Sequence, residues 1–410
     1  MASINEVDML KLLKKLLVLV AVALSFACNT DTKLVYPSED VINRVTDFYL
    51  LSDNETFMIL SSDMNRRYDF GRLVMMKISE NAEGKKSIKF VDSVLVPAIA
   101  GKMAVDDNET TVYVTTRDDH GLVRVSIEGE PGDYRLDYND DTDGNVPKVL
   151  GTKKEPYAVV WREEDSVLLV THLLNGELSI VDGKKWKVIQ DTKLKYGVTD
   201  ILFDEFSGYY MTSHRSSGNI TLIDLHQGLE NEFVVSTKEV SLGLPTKGYD
   251  IRSLKKSRDE NLFYAAFQNL PDDDNDYEED TAPQLVTFSL ENKKANVINT
   301  FPLNGDLGEI SVFPYTTGSE EENSAFESEL IFIANPSENR IWIYDPARNQ
   351  VIREISYGKD DECEPYQVYS KALTETSGYL FVSCFSHDLV YVYEVDLSND
   401  DLVTEIGALK

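Results

Sequence analysis

Residues 170–182 read VTHLLNGELSIVD: a β-branched run, a polar loop holding Asn175 and Gly176, then an alternating strand closed by Asp182. Asn-Gly between two alternating apolar runs is a strong hairpin signal, because glycine and asparagine adopt the positive φ that a tight turn demands. The same phrase recurs as VYVTTRDDHGLVRVSI (112–127), YYMTSHRSSGNITLID (209–224), IFIANPSENRIWIYD (331–345) and LFVSCFSHDLVYVYEVD (380–396). Two weaker copies are FMILSSDMNRRYDFGRLVMMKI (57–78) and the pair NLFYAAF (261–267) with QLVTFSL (284–290). That makes seven.

Around each hairpin stand two more strands. Upstream, GTKKEPYAVVW (151–161) and GKDDECEPYQVY (358–369) share Glu-Pro-Tyr followed by a short strand; downstream come KWKVIQDT (185–192), NVINTFPL (296–303) or QVIREISY (350–357). Past the N-terminal segment the apolar period is two and no long 3.6-residue period appears, so helix is nearly absent. Four-stranded sheets repeated along a chain are the blades of a β-propeller, in which no blade buries both faces alone and neighbours must stack. The expected fold is all-β: a seven-bladed β-propeller of four-stranded antiparallel blades. Because the first and fifth copies are poor, a six- or eight-bladed ring is the rival.

The phrases YVTT (113–116) and LVTH (169–172) resemble the signature of the YVTN β-propeller family, over roughly residues 40–410. The 371 residues from 40 to 410 divide to 53 per blade, above the ~40–45 of a WD40 unit. Acidic insertions at 271–280 and 316–329 take up much of the excess. The last blade is completed either by LVTEI (402–406) or, from the other end of the chain, by KLVY (33–36).

The 410 residues carry 40 Lys and Arg against 71 Asp and Glu, a net charge of −31 that repels phosphate backbones and argues against nucleic-acid binding. Three cysteines and five histidines are too few for a zinc-ribbon or iron–sulfur site.

At the N-terminus, Lys11, Lys14 and Lys15 precede twelve uncharged residues, 16–27, in KLLKKLLVLVAVALSFAC. A helix of that length spans ~18 Å, short of ~30 Å of hydrocarbon, and the pattern is that of a cleavable signal segment. Cys28 follows Ala27 and opens a polar run, which resembles the lipobox of bacterial lipoproteins, although Ser25 and Phe26 depart from its usual residues. Met9 is an alternative start, and an ordinary secreted protein with a coincidental cysteine, or a retained anchor, is the alternative to a lipoprotein. The resemblance implies a signal peptide over 1–27, lipidation at Cys28, a tether over 28–40, a propeller domain over 41–410 and, with Asn29 next, outer-membrane sorting in the bacterial cell envelope.

In such a propeller the turn between second and third strands shares a face with the blade-to-blade connections, where ligands usually meet the fold. Arg117, His120, His172, His214, Glu364 and His387 are the candidate ligand-face residues. The histidines are read either as solvated loop side chains or as members of a metal site. Asn139, Asp141, Asp143 and Asn145 space oxygen ligands like the first half of a calcium loop, making calcium the candidate cofactor; Leu150 stands where that loop needs glutamate, and a solvated acidic turn is the alternative. Cys363 and Cys384 both fall in the last repeat, at positions that an antiparallel hairpin would bring near each other, and are a candidate disulfide; two free thiols, with Cys384 buried at a strand end, are the alternative.

No nucleophile elbow, zincin helix or phosphate loop occurs. The expected role is therefore binding: a scaffold for a protein, glycan or small ligand, touching the membrane only through its lipid. Propellers similar to this one include lactonases and quinone-dependent dehydrogenases, so an enzyme using Arg117, His172, His214 and Glu364 in the central pocket is one alternative. A structural subunit of an envelope complex is another.

Overall fold

The computed structural model describes residues 34–138, 142–143, 146–215, 217–228, 233–243, 249–259, 261–269, 283–317, 326–358 and 363–410. The chain divides after Tyr36 into two units, and the second, Pro37–Lys410, is the propeller. Its seven sheets span residues 44–97, 100–151, 156–193, 198–241, 249–302, 310–356 and 365–409, blades 1 to 7 in chain order. Six have four strands in sequence order, each antiparallel to the next. The seventh blade is completed by its own Val403–Leu409, while residues 34–36 form no strand, so the C-terminal closure is the one the chain uses.

Blade 2 differs. Its outer strand is split into Arg135–Asp137 and Leu150–Gly151, both paired to Gly121–Glu128, and a two-residue hairpin, Thr142–Asp143 with Val146–Pro147, lies between the pieces. The interruption thus falls in an edge strand, where extra residues disturb no interior pairing.

Period-two patterning explains how the blades cohere. In the second strand of blade 1, Phe57 and Ile59 face one neighbour while Met58 and Leu60 face the other, all four fully buried. The buried apolar residues accordingly fall into seven clusters, one at each blade interface. At the seam where blade 7 meets blade 1, Phe381 packs on Phe57 with ring centroids 4.7 Å apart, and Val390 and Val392 join Val45, Ile59 and Val74. Lys86 Nζ–Glu394 Oε1 at 2.7 Å and Arg67 Nη2–Asp388 Oδ2 at 2.6 Å span the same seam. Among the described residues no strand is exchanged across it.

The YVTN-like phrase has a structural reason. The innermost strand of six blades carries a β-bulge near its start, between Ala100 and Met103 or between Pro156 and Val159, for example. A bulge leaves an amide without its ladder partner. In blades 2, 3 and 7 a hydroxyl of the second strand takes it up: Lys102 N donates to Thr115 Oγ1 at 2.9 Å, Ala158 N to Thr171 Oγ1 at 3.3 Å, and Gln367 N to Ser383 Oγ at 3.1 Å; blade 5 keeps its bulge opposite Ala266 without one. Blade 6 has Ala334 in that place, and its inner strand, Ile310–Thr317, pairs with no register shift. Gly101 belongs to the same device, since a Cβ there would collide with the Tyr157 carbonyl of the next blade.

Candidate functional site

The inner strands Arg44–Leu50, Ala100–Val105, Pro156–Arg162, Val198–Asp204, Tyr249–Lys256, Ile310–Thr317 and Pro365–Ala372 pack side by side around the axis. Most place polar groups there: Asp47, Lys102, Asp200, Lys255, Glu309 and Gln367. Lys102 is the hub. Its Nζ donates to Glu309 Oε1 and, at 2.9 Å, to Gln367 Oε1, and stands 3.9 Å from Asp47 Oδ1. Burial alone would lower the Lys102 pKa, but the Glu309 and Asp47 carboxylates raise it above the usual lysine range, so the ammonium stays charged. Burial raises the pKa of Asp47, which Lys102 only partly offsets; its Oδ2 also accepts from Met103 N at 2.9 Å. Lys255 Nζ lies 3.8 Å from Asp200 Oδ2. Beside this network a cavity of about 240 Å³ opens among blades 1, 5, 6 and 7.

At the end of the axis where the blade connections lie, arginines and aromatic rings meet. Arg252 Nη1 donates to Tyr366 Oη at 3.4 Å; Tyr366 packs on Phe385 with centroids 5.2 Å apart, and Arg44 covers Phe385 at 4.9 Å. Asp250 Oδ2 pairs with Arg252 Nε at 3.0 Å and lies 3.8 Å from Arg215 Nε. Arg117 stands over Tyr157 at 5.7 Å and is held by Glu155, Nη2 to Oε2 at 2.7 Å. The shared Glu-Pro-Tyr phrase is therefore a positioning device: Tyr157 and Tyr366 open their inner strands, and burial pushes the Tyr157 hydroxyl up to about 12.

The sequence-derived candidates distribute unevenly. Arg117 and His120 come together, His120 Nδ1 meeting the Arg117 carbonyl at 2.7 Å. Glu364 and His387 sit at the same end of blade 7, with Glu364 accepting from Ser386 Oγ. His172 and His214 are placed neither in solvated loops nor around one ion. They end the second strands of blades 3 and 4, fully buried, and their Nε2 atoms bond Ser179 Oγ at 2.9 Å and Thr221 Oγ1 at 2.7 Å on the third strands. Desolvation lowers both pKa values to about 4, so they are neutral cross-strand struts. Among the described residues no three His, Cys, Asp or Glu side chains are grouped to hold a metal ion. Asn139, Asp141 and Asn145, the side chain of Asp143 and the lipidation candidate Cys28 lie outside the described residues. Cys363 and Cys384 are joined as a disulfide with a Cα–Cα distance of 4.7 Å, buried between blades 6 and 7.

No family model matches the chain, and neither does any curated protein. Solved structures do match in fold. A putative 6-phosphogluconolactonase from Bacteroides uniformis superposes with a TM-score of 0.58 at 14% identity, covering 86% of this chain and 95% of that one. Hydrazine synthase of Kuenenia stuttgartiensis gives 0.58 at 11% identity, covering 88% and 98%. The Pan2 WD40 domain of Neurospora crassa gives 0.52 at 10%, covering 86% and 89%. Such varied neighbours at such identities define a seven-bladed β-propeller and nothing narrower.

Proposed function

We propose that this chain is an exported binding protein: a YVTN-like propeller, lipid-anchored through Cys28 at the bacterial outer membrane, that takes its ligand in the axial channel. The observation that carries the reading is the convergence of six charged or amide side chains, from six different blades, on one axis beside a cavity. A rigid ring holding polar groups in an apolar frame is the form of a small-ligand site. The role of Lys102 favours binding over catalysis, because its ammonium is consumed by Glu309, Gln367 and Asp47 and so is no free base or nucleophile. The Cys363–Cys384 disulfide suits an oxidising compartment.

Two experiments test this. Growth with radioactive palmitate labels the wild type and not Cys28→Ala; equal labelling of the two removes the anchor. A thermal-shift screen of glycans, peptides, organic acids and amines finds a stabilising ligand whose effect is lost in Lys102→Met. Turnover of a lactone or ester in that screen, abolished by the same substitution, would replace the binding reading with an enzymatic one.

A further inference from the structure

The axial cavity has a chemical signature that narrows its ligand. Its volume, about 240 Å³, lies just below the ~300–1,000 Å³ of ordinary ligand pockets, which suits a small molecule. Its walls carry both charges, Asp47 and Glu309 against Lys255, together with Gln367 and with Phe48 and Tyr369 as apolar lining; Lys256 also lines it, but its ammonium pairs with Asp204 at 2.8 Å.

Several of these groups have capacity left over. Glu309 spends Oε1 on Lys102, and its Oε2 has no hydrogen bond among the described residues. Gln367 gives its side-chain oxygen to Lys102 and keeps both amide hydrogens. Among the described residues Lys255 makes no hydrogen bond: it has a loose 3.8 Å pairing with Asp200 and a longer-range attraction to Asp47. A simple anion would satisfy Lys255 but meet Glu309 and Asp47; a simple amine would do the reverse. A neutral sugar would hydrogen-bond both signs of charge through its hydroxyls but neutralise neither, so it gains less here than a ligand carrying both opposite charges.

We propose that this cavity binds a small zwitterion, a free amino acid or short ω-amino acid, with its ammonium on Glu309 and Asp47 and its carboxylate on Lys255 and the Gln367 amide. The proposal rests on the binding reading above and specifies its ligand. Both ends of such a molecule form charge-assisted hydrogen bonds, the stronger kind, and the gap between the two charge pairs acts as a ruler for chain length.

The test is calorimetric titration of the full chain with glycine, β-alanine, γ-aminobutyrate, butylamine, butyrate and glucose, repeated on Lys255→Met. That side chain is 34% exposed, so its loss should leave the fold intact, which the thermal midpoint checks. One of the three amino acids should bind at least tenfold more tightly than butylamine and butyrate, and Lys255→Met should weaken it tenfold or more. Binding of butyrate, butylamine or glucose in preference overturns the zwitterion while leaving a binding channel. Silence of all six at millimolar concentration also overturns it, and the broader screen with Lys102→Met then decides the parent reading on its own.

Discussion

Lys102 and Glu309 are 207 positions and four blades apart, yet their ammonium and carboxylate meet at the propeller axis. Removing one partner of a buried pair strands the other. Lys102→Met should therefore destabilise the protein by about 3–5 kcal/mol, and Lys102→Met with Glu309→Gln should be less damaging than the single change. Urea unfolding of the four members of the cycle measures this; strictly additive effects would mean that the two groups do not interact.

The buried histidines set an acid limit. Their pKa of about 4 in the fold lies below the ~6.5 of the unfolded chain. Between those values the unfolded state binds more protons, so the stability they contribute is complete above pH 6.5 and is lost as pH falls towards 4, roughly 3 kcal/mol for each. Urea midpoints compared at pH 7 and 4.5 should fall less steeply for His214→Gln than for the wild type. Parallel slopes would show that His214 is accessible to protons in the fold.

Reduction should weaken the seventh blade. The Cys363–Cys384 bridge closes a loop of 21 residues, for which chain-entropy arguments give about 3 kcal/mol. Because both sulfurs are buried, thiol labelling of the native protein with reductant present should be slow and should accelerate in mild denaturant. A thermal midpoint indifferent to reductant would contradict the bridge.

Thr115→Val keeps the shape of the side chain but removes the acceptor for Lys102 N, and should cost about 1–3 kcal/mol. Ser383→Ala should act similarly through Gln367 N. At Ala334, where no bulge needs a hydroxyl, Ala334→Ser should bring no gain; stabilisation there by as much as the other two lose would refute the account of the motif.

The architecture could be read from the chain because a repeated hairpin with alternating burial leaves a pattern that only mutual stacking satisfies. Two features were harder. Thr171-His172 and Ser213-His214 look like the start of a polar turn, and nothing local reveals that the imidazole bonds a hydroxyl on the next strand, as His172 does with Ser179. The axial network is spread over six blades, at weakly similar inner strands or, for Glu309, just before one. Its signal was a lone charge or amide inside each apolar run: Asp47 in TDFYL, Lys102 in GKMAV, Asp200 in TDILF, Glu309 in GEISVF, Gln367 in PYQVY. Such residues become a site only when the ring brings them to one line, and a linear pattern holds no such information.

The seam between blades 7 and 1 bears on how the molecule assembles. With no shared strand to lock it, that interface must unite the two ends of a chain of more than three hundred residues through side chains alone. A molecule with its other interfaces formed would still present two bare apolar walls, with Phe57 and Ile59 on one and Phe381 and Val392 on the other. Closing that gap is a slow, long-range event, and until it happens the wall of one molecule is a fitting match for the opposite wall of another.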